Sequence, residues 1–196
     1  MAEGKSNSLK DRLIEAAETR IQENGIDKLS LRKLANDVGV STMATYHHFE
    51  NKQALLVHIA MNGYVELSSA MEDAVRIAPD PQSAVKAMMR IYFQFAFDKP
   101  DIYRLMFGRE IENKRQIPEF KEASLSSFYI MANAVKSLIE AGDHDVDAET
   151  IGLSFWATMH GLVGLVADGN ILYESESEEK IERLLDQAVR GLFFIQ

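Results

Sequence analysis

Apolar residues recur along almost the whole chain at the three-and-four spacing of a helix, and no stretch alternates in the manner of a strand. In residues 9–24 the inward positions are Leu13, Ile14, Ala17 and Ile21, and Gly25 follows as a stop. Ser30 stands where a cap belongs, ahead of a short helix whose inward positions are Leu31, Leu34, Ala35 and Val38. Gly39-Val40-Ser41 reads as a turn, and Ser41 or Thr42 caps a further helix running to about Phe49. Asn51 can cap a longer helix over 52–77, with Ala54, Leu55, Ile59, Met61, Val65 and Leu67 on its apolar faces.

The sequence APDP at 78–81 breaks that helix. Helices are then predicted over 82–97, just after Pro100, and over 119–141, 148–167 and 178–194. Acidic loops separate the last three. The expectation is an all-α chain of about nine helices: a three-helix N-terminal domain over 1–52, and a larger helical domain over 53–196 entered through the helix at 52–77.

Two short helices joined by a tight turn have the layout of a helix-turn-helix, which presents its second helix to the DNA major groove. Ala35 lets the second helix cross closely, and Gly39 tolerates a positive φ in the turn. An Ala-x-x-x-Gly spacing alone occurs in many helical proteins. The continuation TYHHFENKQALL makes it more specific. With the amphipathic first helix ending in Asn24-Gly25 and the run LSLRKLANDVGVS, it resembles the TetR family of bacterial transcriptional regulators over about residues 9–58.

That resemblance implies roles by position. Tyr46 and His48 would donate to phosphate oxygens, and Lys52 would add a point charge. Thr42 would use its hydroxyl at the start of the recognition helix, with Ser30 at the start of the preceding helix in the same DNA-binding set. Met43 and Ala44 are placed to touch base edges, such as thymine methyls. Arg32 is placed for phosphate or a guanine edge, and His47 occupies a variable contact position. Phe49 reads as core. The recognition helix contains no Lys or Arg, so bidentate arginine–guanine readout cannot come from it. Thr45 stands where the family commonly has Leu or Ile.

Charge adds to this picture. The formal net charge is −9, but residues 1–58 hold eight Lys+Arg and eight Asp+Glu, while the remaining 138 hold 13 and 22. The helix-turn-helix end is therefore neutral and the body carries the acidic excess. There is no cysteine, which excludes disulfides and zinc-finger ligation. The first residues lack an apolar signal core, and no apolar run reaches the ~20 residues of a membrane span. The expected compartment is the cytoplasm.

Large, soft apolar side chains crowd the body: Met88, Tyr92 and Phe95, then Tyr103 and Phe107, then Phe128 and Met131. Each can serve simply as core. Together they suit an adaptable apolar pocket among helices, and the TetR resemblance implies that such a pocket holds a small-molecule effector, apolar or aromatic. FWATMHGLVGL, with Trp156 four residues before His160, looks like the WHG subclass of TetR C-terminal domains, and both residues join the candidate ligand set. The resemblance also implies that the last two helices form a dimeric four-helix bundle, with Gly161, Gly164, Leu165, Leu184, Leu185, Ala188 and Leu192 at its interface. An intramolecular core explains the same spacing. No Ser/His/Asp order, phosphate-cradling loop or useful carboxylate pair is present, so neither catalysis nor a cofactor is expected.

The expected function is a homodimeric, ligand-responsive repressor on a near-palindromic double-stranded operator, with no membrane partner. The alternative is a helical small-molecule-binding or adaptor protein whose helix-turn-helix is only structural.

Overall fold

The computed structural model describes residues 8–142 and 147–167, with positions 179, 183, 184, 186, 187, 190 and 191. Among them the chain is entirely helical: α1 Leu9–Asn24, α2 Leu31–Val38, α3 Thr42–His48, α4 Lys52–Ile77, α5 Pro81–Asp98, α6 Pro100–Phe107, α7 Pro118–Ala141 and α8 Ala148–Ala167. Two 3-10 turns, Ile26–Lys28 and Lys114–Gln116, were not foreseen from the hydrophobic pattern. The all-α expectation holds. Most of the ninth predicted helix lies outside the described residues.

Helix starts follow local hydrogen-bonding chemistry. Ser8 and Asp11 form a reciprocal capping box at α1. The Ser30 hydroxyl accepts from the Lys33 amide at 3.3 Å, and Ser41 accepts from Ala44 at 3.1 Å. Ser41, rather than Thr42, therefore caps α3. Asn51 Oδ1 accepts from the Ala54 amide at 2.9 Å, and Asp80 Oδ1 accepts from Ser83 at 2.9 Å. Each such cap is worth about 1 kcal/mol.

The chain forms two compact units: Met1–Gly63 with Asp101–Lys121, and Tyr64–Pro100 with Glu122–Gln196. This partition differs from a division at residue 52. The first twelve residues of α4 belong to the first unit, and α6 joins them.

In the first unit Leu13, Ala17, Ile21, Leu34, Ala35, Phe49, Leu55 and Ile59 are buried together with Ile102, Leu105 and Met106. Burying one such large aliphatic side chain stabilises the fold by about 1.5–3 kcal/mol. α6 comes so close to α4 that a Cβ on Gly63 would lie 2.7 Å from Met106 Sδ and 2.9 Å from Ile102 Cγ2. In the second unit the buried set includes Leu67, Met71, Val85, Met88, Met89, Phe93, Val135, Phe155 and Met159. A buried hydroxyl pair, Ser68 with Ser127 at 2.7 Å, ties α4 to α7. Lys99 on Glu66 ties the end of α5 to α4.

Candidate nucleic-acid interface

α2 and α3 are set on α1 by three features. Arg20 grips Asp37 with two parallel bonds, and that bond holds the Asp37 carboxyl below the usual carboxylate range. Arg12 donates to the Val38 carbonyl at 2.9 Å, at the C-terminus of α2. Gly39 then adopts the left-handed conformation (φ 74°, ψ 36°), and the Val40 amide closes back on the Ala35 carbonyl at 2.9 Å. A side chain at residue 39 would be strained by that φ, so the glycine is what makes the tight turn possible.

α3 is seven residues long, and its sides are sharply divided. Thr45 is fully buried and Phe49, just beyond the helix, is 1% exposed. Met43 is 78% exposed and Tyr46 50%. His47 is exposed, and Thr42, Ala44 and His48 are half-buried. Met43, Tyr46 and His47 therefore project outward from a short helix whose other side is anchored. Arg32 is exposed on α2. Ser30 is half-buried, with its hydroxyl oxygen committed to its cap.

Lys52 departs from the picture of a freely projecting cation. Its ammonium donates to the Ile26 carbonyl at 2.6 Å and lies 3.5 Å from that of Asp27. It closes the 3-10 turn between α1 and α2 and keeps at most one N–H for a phosphate. Behind α3, His58 meets Phe49 edge-to-face, and its Nδ1 lies 3.1 Å from the Ala54 carbonyl. Burial, with Lys10 adding repulsion, moves the His58 pKa down, only partly offset by that hydrogen bond.

The predicted ligand-binding residues divide between the two units. In the second unit Tyr92 Oη lies 3.2 Å from His160 Nδ1, joining α5 to α8. Trp156 is tilted against His160 and meets Phe128 edge-to-face, each with ring centres 6.0 Å apart. Burial pushes the His160 pKa down, so the imidazole is neutral at pH 7. Met88, Phe95 and Met131 are buried in the same unit. Tyr103 and Phe107, by contrast, lie tilted against each other on α6 with ring centres 4.7 Å apart, in the first unit.

Two residues that matter here carried no sequence signal strong enough to single them out. Gly63 seats α6 on α4; a glycine inside a long helix is its only trace. Lys114 is buried and donates to the carbonyls of Leu105, Met106 and Gly108 at 2.9, 2.8 and 2.7 Å, capping the end of α6.

Of the predicted dimer residues, Gly161 and Leu165 are exposed on α8, and Gly164 and Leu184 are half-buried. Leu185, Ala188 and Leu192 lie outside the described residues. Leu153, Ala157, Gly161 and Leu165 repeat every fourth position, and all are exposed, which makes a continuous apolar stripe on α8. No helix among the described residues is long and apolar enough to cross a membrane.

Comparison with known proteins agrees with this geometry. Residues 13–59 match the family model for bacterial regulatory proteins of the tetR family, and residues 85–192 match that of the tetracyclin repressor-like C-terminal domain. The uncharacterized HTH-type transcriptional regulator YobS of Bacillus subtilis is 25% identical over 181 residues, covering 91% of this chain and 87% of that one. The nucleoid occlusion factor SlmA of Mannheimia succiniciproducens is 25% identical over 105 residues, covering 54% of this chain and 45% of its own. A Rhodococcus protein of unknown function superposes with a TM-score of 0.82 at 29% identity, covering 98% and 97% of the two chains. The TetR family transcriptional regulator PfmR of Thermus thermophilus shares the fold at a TM-score of 0.69 and 22% identity, covering 93% and 99%.

Proposed function

The chain belongs to the TetR family of bacterial regulatory proteins, and from that premise we propose that it is a homodimeric repressor, released from a near-palindromic operator when a small molecule binds its second compact unit. That it is a DNA-binding, ligand-responsive transcriptional regulator follows from the family. Repression, release, the contact residues and the dimer are the proposal.

The observation that carries it is the division of α3. Thr45 and Phe49 lock one side into the core, while Met43, Tyr46 and His47 stand exposed on the other. Met43 is 78% exposed, so little of its side chain is packed among the described residues. On a recognition helix it is placed to meet thymine methyls, with Ala44 beside it. Tyr46, His48, Thr42 and Ser30 supply hydrogen-bond donors to phosphate, and Arg32 supplies a fixed charge. With no cation on α3, each half-site is weak. Two half-sites about one DNA turn apart, roughly 34–36 Å, make the binding useful. The exposed stripe on α8 supports dimerisation through that helix, the interface reading under which Gly161, Gly164, Leu165, Leu184, Leu185, Ala188 and Leu192 belong together.

For the effector, the Tyr92–His160 pair with Trp156 and Phe128 supports a site in the second unit, where Met88, Phe95 and Met131 are also buried, and a WHG-type C-terminal domain. Tyr103 and Phe107 fold with the first unit and are not part of that set. α4 passes from the first unit into the second and is the physical link for allostery. The effector acts by binding better to a state whose recognition helices no longer fit the operator. A regulator of DNA works in the cytoplasm, and this function requires neither a cofactor nor catalysis.

The test is selection of duplexes from a random library, followed by fluorescence anisotropy. The wild type should enrich a palindrome, and Tyr46→Phe should weaken binding to many sequences alike, whereas Met43→Ala should act mainly at one base step. A wild-type protein that enriches no sequence would leave the structural, adaptor role of the helix-turn-helix standing instead.

A further inference from the structure

We propose that Arg109 and Arg115, on the segment between α6 and α7, contact DNA phosphates and so extend the DNA-binding face beyond the helix-turn-helix. This rests on the DNA-binding reading above.

The path of the chain carries the inference. Met106, on α6, sits against Gly63 of α4. Four residues later the Glu110 carbonyl accepts from Gln53 Nε2 at 3.3 Å. Gly63 and Gln53 lie about 15 Å apart along a helix axis. After α6 the chain therefore descends α4 to its first turn, the end that follows the recognition helix and begins with Lys52. This segment and the helix-turn-helix belong to the same compact unit.

The segment is held firmly. Ile111 is buried, and Lys114 spends its charge on the three carbonyls at the end of α6. Arg109 and Arg115 are left exposed, with no ion pair or hydrogen bond among the described residues. Of the neighbouring acids, Glu110 is half-buried with Oε1 3.9 Å from Arg104 Nε, and Glu112 is exposed. The exposed balance is two cations against one anion.

The rest of the DNA-binding face is poor in cations, with Arg32 on α2 the one exposed arginine among the residues assigned to it. α3 has none, and Lys52 is drawn onto backbone carbonyls. Phosphate neutralisation supplies much of the affinity for DNA, and a guanidinium fork fits a phosphate bidentately. Arg109, beside the Glu110 held at the first turn of α4, and Arg115, further along the same exposed segment, answer that shortage, and they read no sequence.

The experiment compares wild type, Arg109→Gln/Arg115→Gln and the control Lys136→Gln on the palindromic duplex selected by the wild type and on a scrambled duplex, from 50 to 300 mM KCl. Both arginines are exposed, and unchanged circular dichroism and melting will establish that the double variant folds. A lost phosphate contact flattens the plot of log K against log salt by about 0.9. The double variant should flatten it by about one to two per protomer and weaken both duplexes alike, with Lys136→Gln leaving the slope unchanged. A slope unchanged in the double variant would overturn the contact while leaving the regulator reading intact. Equal flattening by Lys136→Gln would reduce the effect to overall charge and overturn it too. A wild type that selects no duplex would remove both the contact and the reading beneath it.

Discussion

Thr45→Val should make this protein more stable. Thr45 is 0% exposed, and its Oγ1 has no hydrogen-bond partner. A buried hydroxyl that has given up water without gaining a partner costs about 1–3 kcal/mol. Valine keeps the branched shape and replaces the hydroxyl by a methyl, so the helix loses little propensity and the cavity stays filled. We expect a gain of about 1 kcal/mol, since the unfolded chain also responds to the change. Thr45→Ser is the informative partner: it keeps the unsatisfied oxygen and removes a buried methyl, costing about 1 kcal/mol. Urea denaturation followed by circular dichroism, together with hydrogen exchange at the α3 amides, reads the order Val above Thr above Ser. A gain of 1 kcal/mol moves the midpoint by about 0.3–1 M urea at the usual slopes. If valine is no more stable than threonine, the hydroxyl is satisfied by a buried water and the reasoning fails.

Gly63→Ala should destabilise by about 1 kcal/mol despite alanine's better helix propensity. The Met106 thioether 2.7 Å from the new Cβ can swing away, but Ile102 Cγ2 at 2.9 Å cannot without moving α6; a raised melting temperature would contradict the tight seat. His58 and His160 both have pKa values lowered by burial. The unfolded chain therefore takes up protons first as pH falls through about 6.5, so stability should be level above pH 7 and decline below 6.5. Melts at pH 7.5 and 5.5 check this, and His160→Gln should shrink the difference. Leu153→Glu with Gly161→Glu should convert the proposed dimer to monomer in analytical ultracentrifugation and abolish cooperative operator binding; a dimer that persists would move the interface away from the α8 stripe. Lys52→Met should lower stability by about 1 kcal/mol, because the Ile26 carbonyl loses a charged donor and keeps only the Leu29 amide, besides weakening DNA binding. A pure DNA-binding loss with an unchanged melt would return Lys52 to a simple phosphate contact.

Much of the fold could be read locally. Ser30, Ser41, Asn51 and Asp80 each cap a helix, using an oxygen within three residues of its donor, and Gly39 announced the turn through its φ. The outward set on α3 was legible for the same reason: on a seven-residue helix, burying Thr45 and Phe49 leaves Met43 and Tyr46 nowhere to point but out. The candidate ligand residues were read from composition and, for Trp156 and His160, from the family resemblance. Nothing local says that Tyr92 reaches His160, 68 residues away, or that Tyr103 and Phe107 fold with the first unit.

By itself, then, the order of residues determined the helices, the turn, the exposed face of α3 and the family, because caps, glycine conformation and the 3.6-residue period act over four residues or fewer. The tertiary structure decided where the charges and seams lie. Lys52 turns back to Ile26, Lys114 caps α6, and Gly63 admits Met106. Those outcomes depend on which segments meet. A long, flexible ammonium goes to whichever carbonyls the packing leaves unsatisfied, and a glycine becomes a seat only when another helix arrives there.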